Sequence, residues 1–144
     1  MLQCICEKTR DDAILPTKAN LDDIGWDVYL PKNSRIMLDP GQKALCETHI
    51  IMQIPPGFAF IFKEKSGLAV KKSIEVKAGV VDAGYRNSIK VLLKNAGTSR
   101  IFFEGGDKLC QGIFIRNYEV EMIEGVVTKD TERGIGGFGS TGEQ

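Results

Sequence analysis

The hydrophobic positions of this chain fall in short runs, each closed by a turn signal, and no stretch keeps helical periodicity over three turns. Trp26 to Leu30 runs into Pro31-Lys32-Asn33, and Arg35 to Leu38 runs into Asp39-Pro40-Gly41. Ala44 to Ile54 ends at Pro55-Pro56-Gly57, and Phe58 to Lys63 ends near Ser66-Gly67. Ile89, Val91 and Leu93 alternate with Ser88, Lys90 and Lys94 before Asn95-Ala96-Gly97 closes the strand. Ile101 to Phe103 meets Gly105-Gly106-Asp107, and a last strand covers Leu109 to Tyr118. Short strands at intervals of about 8–12 residues predict a sandwich or barrel. One short helix is expected from Ser66 to Lys72, with Ser66 as its N-cap. The fold class is all-β.

Composition narrows the function. With 144 residues the chain suits one domain with a real core. Nineteen basic residues balance nineteen acidic ones, so nothing marks a duplex nucleic-acid binder, and direct nucleic-acid binding is not expected. A few local cations still suffice for a small anion, and neutrality leaves little repulsion between copies. Met1 to Arg10 carries charges and two cysteines rather than a leader's apolar core, and Phe58 to Phe62 is too short to span a bilayer. No membrane role is expected, and the chain reads as cytoplasmic. Cys4, Cys6, Cys46 and Cys110 have no second pair at zinc-ligand spacing, and His49 is the sole histidine. The thiols are expected to be buried or half-buried small hydrophobes.

From Arg133 to Gly142 five of ten residues are glycine. Such a tail cannot offset its ordering entropy by core burial and should be mobile alone. Gly134, Gly136 and Gly139 fit G-x-G-x-x-G, but only Gly142-Glu143-Gln144 follows, so the helix of a dinucleotide fold is missing. No lysine precedes Ser140-Thr141, which excludes a P-loop. Free backbone N–H groups, with Arg133, Ser140 and Thr141, still suit phosphate oxygens. Phe138 offers a flat face for a base.

Ala78-Gly79-Val80-Val81-Asp82-Ala83-Gly84-Tyr85-Arg86-Asn87 looks like a hairpin with Asp82 near its bend. An ionised aspartate beside a phosphate can orient and deprotonate water. Lys65-Ser66-Gly67 and Gly106-Asp107-Lys108-Leu109-Cys110-Gln111 each set donors beside flexible glycine. Taken with the tail, they begin to describe a triphosphate cradle.

Five segments, in order, resemble the five motifs of the homotrimeric dUTPase family. They are Ile24-Gly25-Trp26-Asp27-Val28, Lys65-Ser66-Gly67-Leu68-Ala69, Gly79-Val80-Val81-Asp82-Ala83-Gly84-Tyr85-Arg86, Gly106 to Gln111, and Arg133 to Gly142. The third and fifth are the most specific.

The resemblance implies a jelly-roll-like β domain over residues 1–127 and a flexible glycine-rich C-terminal arm over 128–144. It implies a homotrimer whose arm closes over a neighbouring subunit's site. The implied activity is hydrolysis of dUTP to dUMP and pyrophosphate, which limits uracil in DNA and supplies dUMP for thymidylate synthesis. By the same resemblance Asp82 activates the water that attacks the α-phosphorus. Tyr85 lies against the deoxyribose and leaves no room for a 2′-hydroxyl. Uracil bonds to main-chain groups of Gly79 and Lys90. Lys65, Ser66, Gly67 and Gln111 hold phosphates, while Arg133, Gly139, Ser140 and Thr141 belong to the γ-phosphate end and Phe138 covers the base. Mg2+ rides on the triphosphate, and Asp27 touches it through water.

Several positions depart from the family's usual pattern. Lys65 and Lys108 stand where arginine is usual, so a bidentate fork becomes a point charge. Glu64 stands where proline is usual, and Ala83-Gly84 replaces a frequent acidic pair. Two rival readings remain. A dCTP deaminase of related fold would need a glutamate near the pyrimidine amine, for which Glu75 and Glu104 are available. A regulatory protein partner that reads the lid's order is the other, and it is compatible with catalysis.

Overall fold

The structure, a computed structural model, describes residues 1–139. Among them the chain forms β1 (Ile5–Lys8), β2 (Trp26–Tyr29), β3 (Arg35–Leu38), β4 (Lys43–Gln53) and β5 (Phe58–Lys63). Then follow α1 (Ser66–Lys72), β6 (Ile74–Lys77), β7 (Val80–Val81), β8 (Ser88–Asn95), β9 (Ile101–Glu104) and β10 (Lys108–Arg116). One sheet has the order β1-β4-β8-β6, a second β2-β10-β5-β7, and β3 pairs with β9. Every pairing is antiparallel.

Alternation explains why the sheets stack. On β4 the inward positions Cys46, Ile50 and Met52 are buried, and on β8 so are Ile89, Val91 and Leu93. Phe60 and Phe62 of β5 and Leu109 and Cys110 of β10 complete one cluster with Leu38 and Phe103. Each such side chain contributes about 1.5–3 kcal/mol of transfer free energy. Cys4 and Cys6 are half-buried, as the sequence suggested. No helix among the described residues is long and apolar enough to cross a membrane.

The structure departs from the sequence reading in four places. Residues 78–87 do not form a ladder with the strand that follows: β7 pairs with β5 in one sheet, while β8 lies between β4 and β6 in the other. The segment is therefore a corner between two sheets, with a turn closed by Tyr85 N donating to Asp82 O at 3.1 Å. β6 lies in a stretch for which no strand was expected. Lys65, not Ser66, occupies the N-cap of α1, and no side chain caps it. The last strand stops at Arg116, and residues 117–139 carry neither helix nor strand.

Asn95 shows how a turn signal becomes core. It is fully buried at the end of β8, where its Nδ2 donates to Leu38 O (3.0 Å) and Ser99 O (2.8 Å). Its Oδ1 accepts from Gly97 N at 3.0 Å. A buried amide with its partners in place pins this corner.

Candidate active site

Register across the second sheet gathers the first group of residues. Gln111 of β10 is opposite Asp27 on β2 and Lys63 on β5, so Asp27 and Gln111 project from the same face. Lys108 is three residues before Gln111, and in a regular strand it would face the other way. The pairing with β2 slips between Lys108 and Cys110, and that irregularity sets Lys108 opposite Tyr29. Tyr29 is two residues from Asp27, so Lys108 comes round to the Asp27 face.

Both ammonium groups then converge on one carboxylate. Lys65 donates to Asp27 Oδ1, and Lys108 Nζ lies 3.2 Å from Oδ2. Asp27 is buried. Burial pushes its carboxyl up, but the hydrogen bonds and charges of Lys65 and Lys108 outweigh this and hold it below its ordinary value. The same contact raises Lys108, chiefly through its hydrogen bond to Asp27. The two lysines that replace expected arginines thus share a single counter-ion.

Gln111 completes the group. Its Nε2 donates to Glu64 O at 2.8 Å, tying β10 to the loop before α1. Its Oε1 fills the space beside Gly25, where an added Cβ would meet it at 2.0 Å. Only glycine lets the amide lie there. Glu64 uses its own carboxylate to accept from Val76 N at 2.9 Å, so the residue that replaces proline braces β6. A recess of about 230 Å³ is lined by Asp23, Ile24, Gly25, Asp27, Lys65 and Gln111 among others. Beside it, Lys65, Gly67 and Lys108 line a second, of about 480 Å³, with Gly106 and Asp107.

The second group is the 79–90 corner. Gly79 has φ 109°, and a Cβ there would press on Phe62 at 3.3 Å. Its carbonyl accepts from Phe62 N at 2.8 Å, while among the described residues its N–H has no acceptor. Asp82 is exposed, and among the described residues no ion pair or side-chain hydrogen bond engages its carboxylate. Tyr85 is 40% exposed, with its hydroxyl donating to Ser88 O at 2.9 Å. Lys90 Nζ donates to Ser88 Oγ at 3.2 Å.

One chain does not bring the two groups together. Val81 pairs with Phe60, three residues along β5 from Lys63, the partner of Gln111. At about 3.4 Å per residue and about 4.8 Å per strand, Asp82, one residue further on, stands roughly 17 Å from Gln111. Among the described residues the arm joins neither group: Arg133 Nε donates to Gly136 O at 2.8 Å, inside its own segment, and Phe138 is fully exposed. Ser140 and Thr141 lie outside the described residues.

Glu75 and Glu104 are committed elsewhere. Glu75 pairs with Lys77 at 2.7 Å and Glu104 with Arg35 at 3.0 Å, so neither is offered to the corner. Reasoning from sequence missed Glu47, Glu64 and Ser88, which hold the corner and its surroundings. No local pattern gives the long-range contacts: Glu47 meets Lys90 on β8, and Glu64 meets Val76 on β6.

Comparison with known proteins adds the family. The dUTPase family model matches residues 11–142. The deoxyuridine 5′-triphosphate nucleotidohydrolase of Solibacter usitatus is 36% identical over 145 residues, covering 98% of this chain and 97% of that one. Among solved structures, the Staphylococcus bacteriophage 80alpha dUTPase with dUPNHPP superposes at TM-score 0.89, 20% identical, covering 99% of each chain. It is described as controlling transfer of virulence genes by a proto-oncogenic G protein-like mechanism. The D95N dUTPase of phage phi11 of S. aureus matches at TM-score 0.79 and 18% identity, over 92% of this chain and 99% of that one, and is described as coordinating a structural Mg(II) ion.

Proposed function

The chain belongs to the dUTPase family, and from that membership we propose how it hydrolyses dUTP to dUMP and pyrophosphate. Asp82 orients and deprotonates the water that attacks the α-phosphorus. The observation that carries this role is the 79–90 corner, where an exposed carboxylate, without a partner among the described residues, stands beside a braced tyrosine. A general base so placed supplies about 10²–10⁴-fold of rate. The enzyme is a dUTP diphosphatase.

Recognition follows from the same corner. The N–H of Gly79 and the main chain of Lys90 bind uracil, and cytosine's amino group would put a donor where an acceptor is needed. Mispaired buried groups discriminate more strongly than a small apolar difference. Tyr85 lies against the deoxyribose and excludes a 2′-hydroxyl. Lys65, Ser66, Gly67 and Gln111 hold the phosphates, and Arg133, Gly139, Ser140 and Thr141 close on the γ-phosphate with Phe138 over the base.

Mg2+ is the cofactor. Among the described residues no group of three or more His, Cys, Asp or Glu could cage a metal, and both oxygens of Asp27 already take an ammonium group. Each oxygen keeps a lone pair, which fits contact with a water of a hydrated ion rather than direct ligation. Bound on the triphosphate, Mg2+ supplies charge neutralisation; Asp27 would hold it at second hand, with Asp23 on the same recess.

The active protein is a homotrimer with sites at subunit junctions, in the cytoplasm. Support comes from the separation of the Asp82 and Gln111 groups within one chain. The segment before the arm supports it too: Tyr118, Val120, Met122, Ile123, Val126 and Val127 are all exposed and apolar, as a strap crossing a neighbour would be. Residues 1–127 then form the domain and 128–144 the arm. A regulatory protein partner would act beside catalysis; the phage 80alpha enzyme, described as controlling transfer of virulence genes, lends support, and nucleotide-dependent co-purification tests it.

The deciding experiment is product analysis with Mg2+ and each of dUTP, dCTP, dTTP and UTP. Release of dUMP and pyrophosphate from dUTP alone is expected. Ammonia from dCTP, or silence on dUTP, overturns the reading.

A further inference from the structure

His49 is held at φ 57°, in the left-handed region that residues with a Cβ rarely enter. It sits where the pairing of β4 with β8 slips between Glu47 and Ile51. Irregularities of this kind re-aim side chains. This one is fastened on several sides. Thr48 Oγ1 donates to Ile89 O at 2.7 Å and accepts from Ile50 N at 3.2 Å. Thr9 N donates to His49 O at 2.9 Å, and His49 N donates to Glu47 Oε1 at 2.9 Å.

The last of these contacts aims the Glu47 carboxylate at the catalytic corner. Its Oε2 lies 3.3 Å from Lys90 Nζ, opposite it in the ladder. Lys90 donates in turn to Ser88 Oγ at 3.2 Å and to Ser88 O at 3.4 Å. That same carbonyl takes the Tyr85 hydroxyl at 2.9 Å. Burial pushes Glu47 up, but the Ser88 hydroxyl, the His49 amide and Lys90 hold it below the usual carboxylate range, so the chain of contacts keeps an ionised end. Tyr85 itself is 40% exposed, and among the described residues its hydroxyl's one hydrogen bond is to the Ser88 carbonyl.

We propose that Glu47 is a positioning residue which, through Lys90 and Ser88, fixes the carbonyl that braces Tyr85 and so sets the rejection of ribonucleotides. The inference rests on the reading of Tyr85 as the sugar platform. Sugar discrimination depends on how firmly that ring stays put, because a 2′-hydroxyl is excluded only where the ring cannot retreat. Without the Glu47 charge, Lys90 is free to leave Ser88, and the ring's carbonyl anchor loosens.

The test uses Glu47→Gln, Ser88→Ala and the double variant in the full chain, with kcat and KM measured for dUTP and UTP and a thermal melt of each. Loss of one positioning contact is expected to lower the dUTP-over-UTP ratio of kcat/KM about five- to tenfold, with KM for dUTP rising more than kcat falls. The double variant is expected to lose no more than the larger single, since both act on one carbonyl. Unchanged selectivity in folded Glu47→Gln overturns the proposal, and so does an equal fall for both nucleotides, which is what a merely structural role gives. If Glu47→Gln does not fold, Ser88→Ala decides alone, and wild-type selectivity there overturns it. A wild-type protein that does not prefer dUTP over UTP sinks the Tyr85 reading itself, a failure visible before any variant is made.

Discussion

Asp27 and Asp82 carry the same carboxylate in opposite settings. Asp27 is buried on the sheet face it shares with Gln111, with one lysine on each oxygen. Asp82 is exposed on a corner, and among the described residues nothing engages its carboxylate. A doubly paired carboxylate is a poor base, because accepting a proton means giving up its cations. A lone one beside a substrate site keeps its lone pairs for water. On the proposed reading the difference separates architecture from chemistry: Asp27 would arrange the cations that meet phosphate, and Asp82 would act on the reacting water.

The largest effect should come from the exposed member. Asp82→Asn keeps the shape and removes the base, so dUMP release should fall about 10²–10⁴-fold. The melting temperature should stay where it is, because no structural contact is lost. A folded variant that retains most of its turnover would break the comparison at once. Removing the arm, residues 128–144, should come next. Among the described residues Arg133 bonds only within its own segment, so the fold should survive while kcat/KM for dUTP falls about 10²-fold for want of closure. Comparing pyrophosphate release and thermal melts of the full and shortened chains checks both halves of that statement.

The sequence shows one of these aspartates far better than the other. Asp82 lies in a run whose glycines and tyrosine have a readable local pattern, as do the strands that carry their own punctuation. Arg35–Leu38, Phe58–Lys63 and the helix Ser66–Lys72 all have the bounds that their flanking turn residues suggest. β6 was hidden because Ile74–Lys77 is only four residues long and follows the helix without a breaker. The corner looked like a hairpin because chain proximity says nothing about which sheet a strand joins. Asp27 belongs to neither class of signal. Its lysines come from the loop before α1 and from the start of β10, and Lys108 reaches it only through a local slip in register. The glycine-rich tail shows in the sequence, but no local pattern says what it would dock on.

A stability test probes the buried member. Asp27→Asn keeps an acceptor but leaves Lys65 and Lys108 without a counter-ion. Hydrogen bonds to a charged group contribute about 1.5–3 kcal/mol each, but both lysines are partly exposed and can turn to water. A loss of about 1–2 kcal/mol overall is therefore expected in denaturant unfolding. An Asp27→Asn protein as stable as its parent would show that the cluster is no more than a surface pair.

The smallest effect, and the most selective, is in pH. Asp27 titrates below its ordinary value of 3.8 when folded, so the folded state binds its proton less readily than the unfolded chain. Its contribution is complete above that ordinary value and disappears as pH falls through the lower folded one. Lys108, raised above its ordinary 10.5, describes the same contact from the other side: its share is complete below 10.5 and fades as pH rises further. Between these limits the pair should leave stability flat. Melting temperatures of the parent and of Asp27→Asn should therefore differ most near neutrality and converge as the pH drops below 3.8. Asp82→Asn should follow the parent through the same acid range, since among the described residues no contact depends on that charge. Convergence of the Asp82 variant instead would place a stabilising partner on the corner and erase the distinction between the two carboxylates.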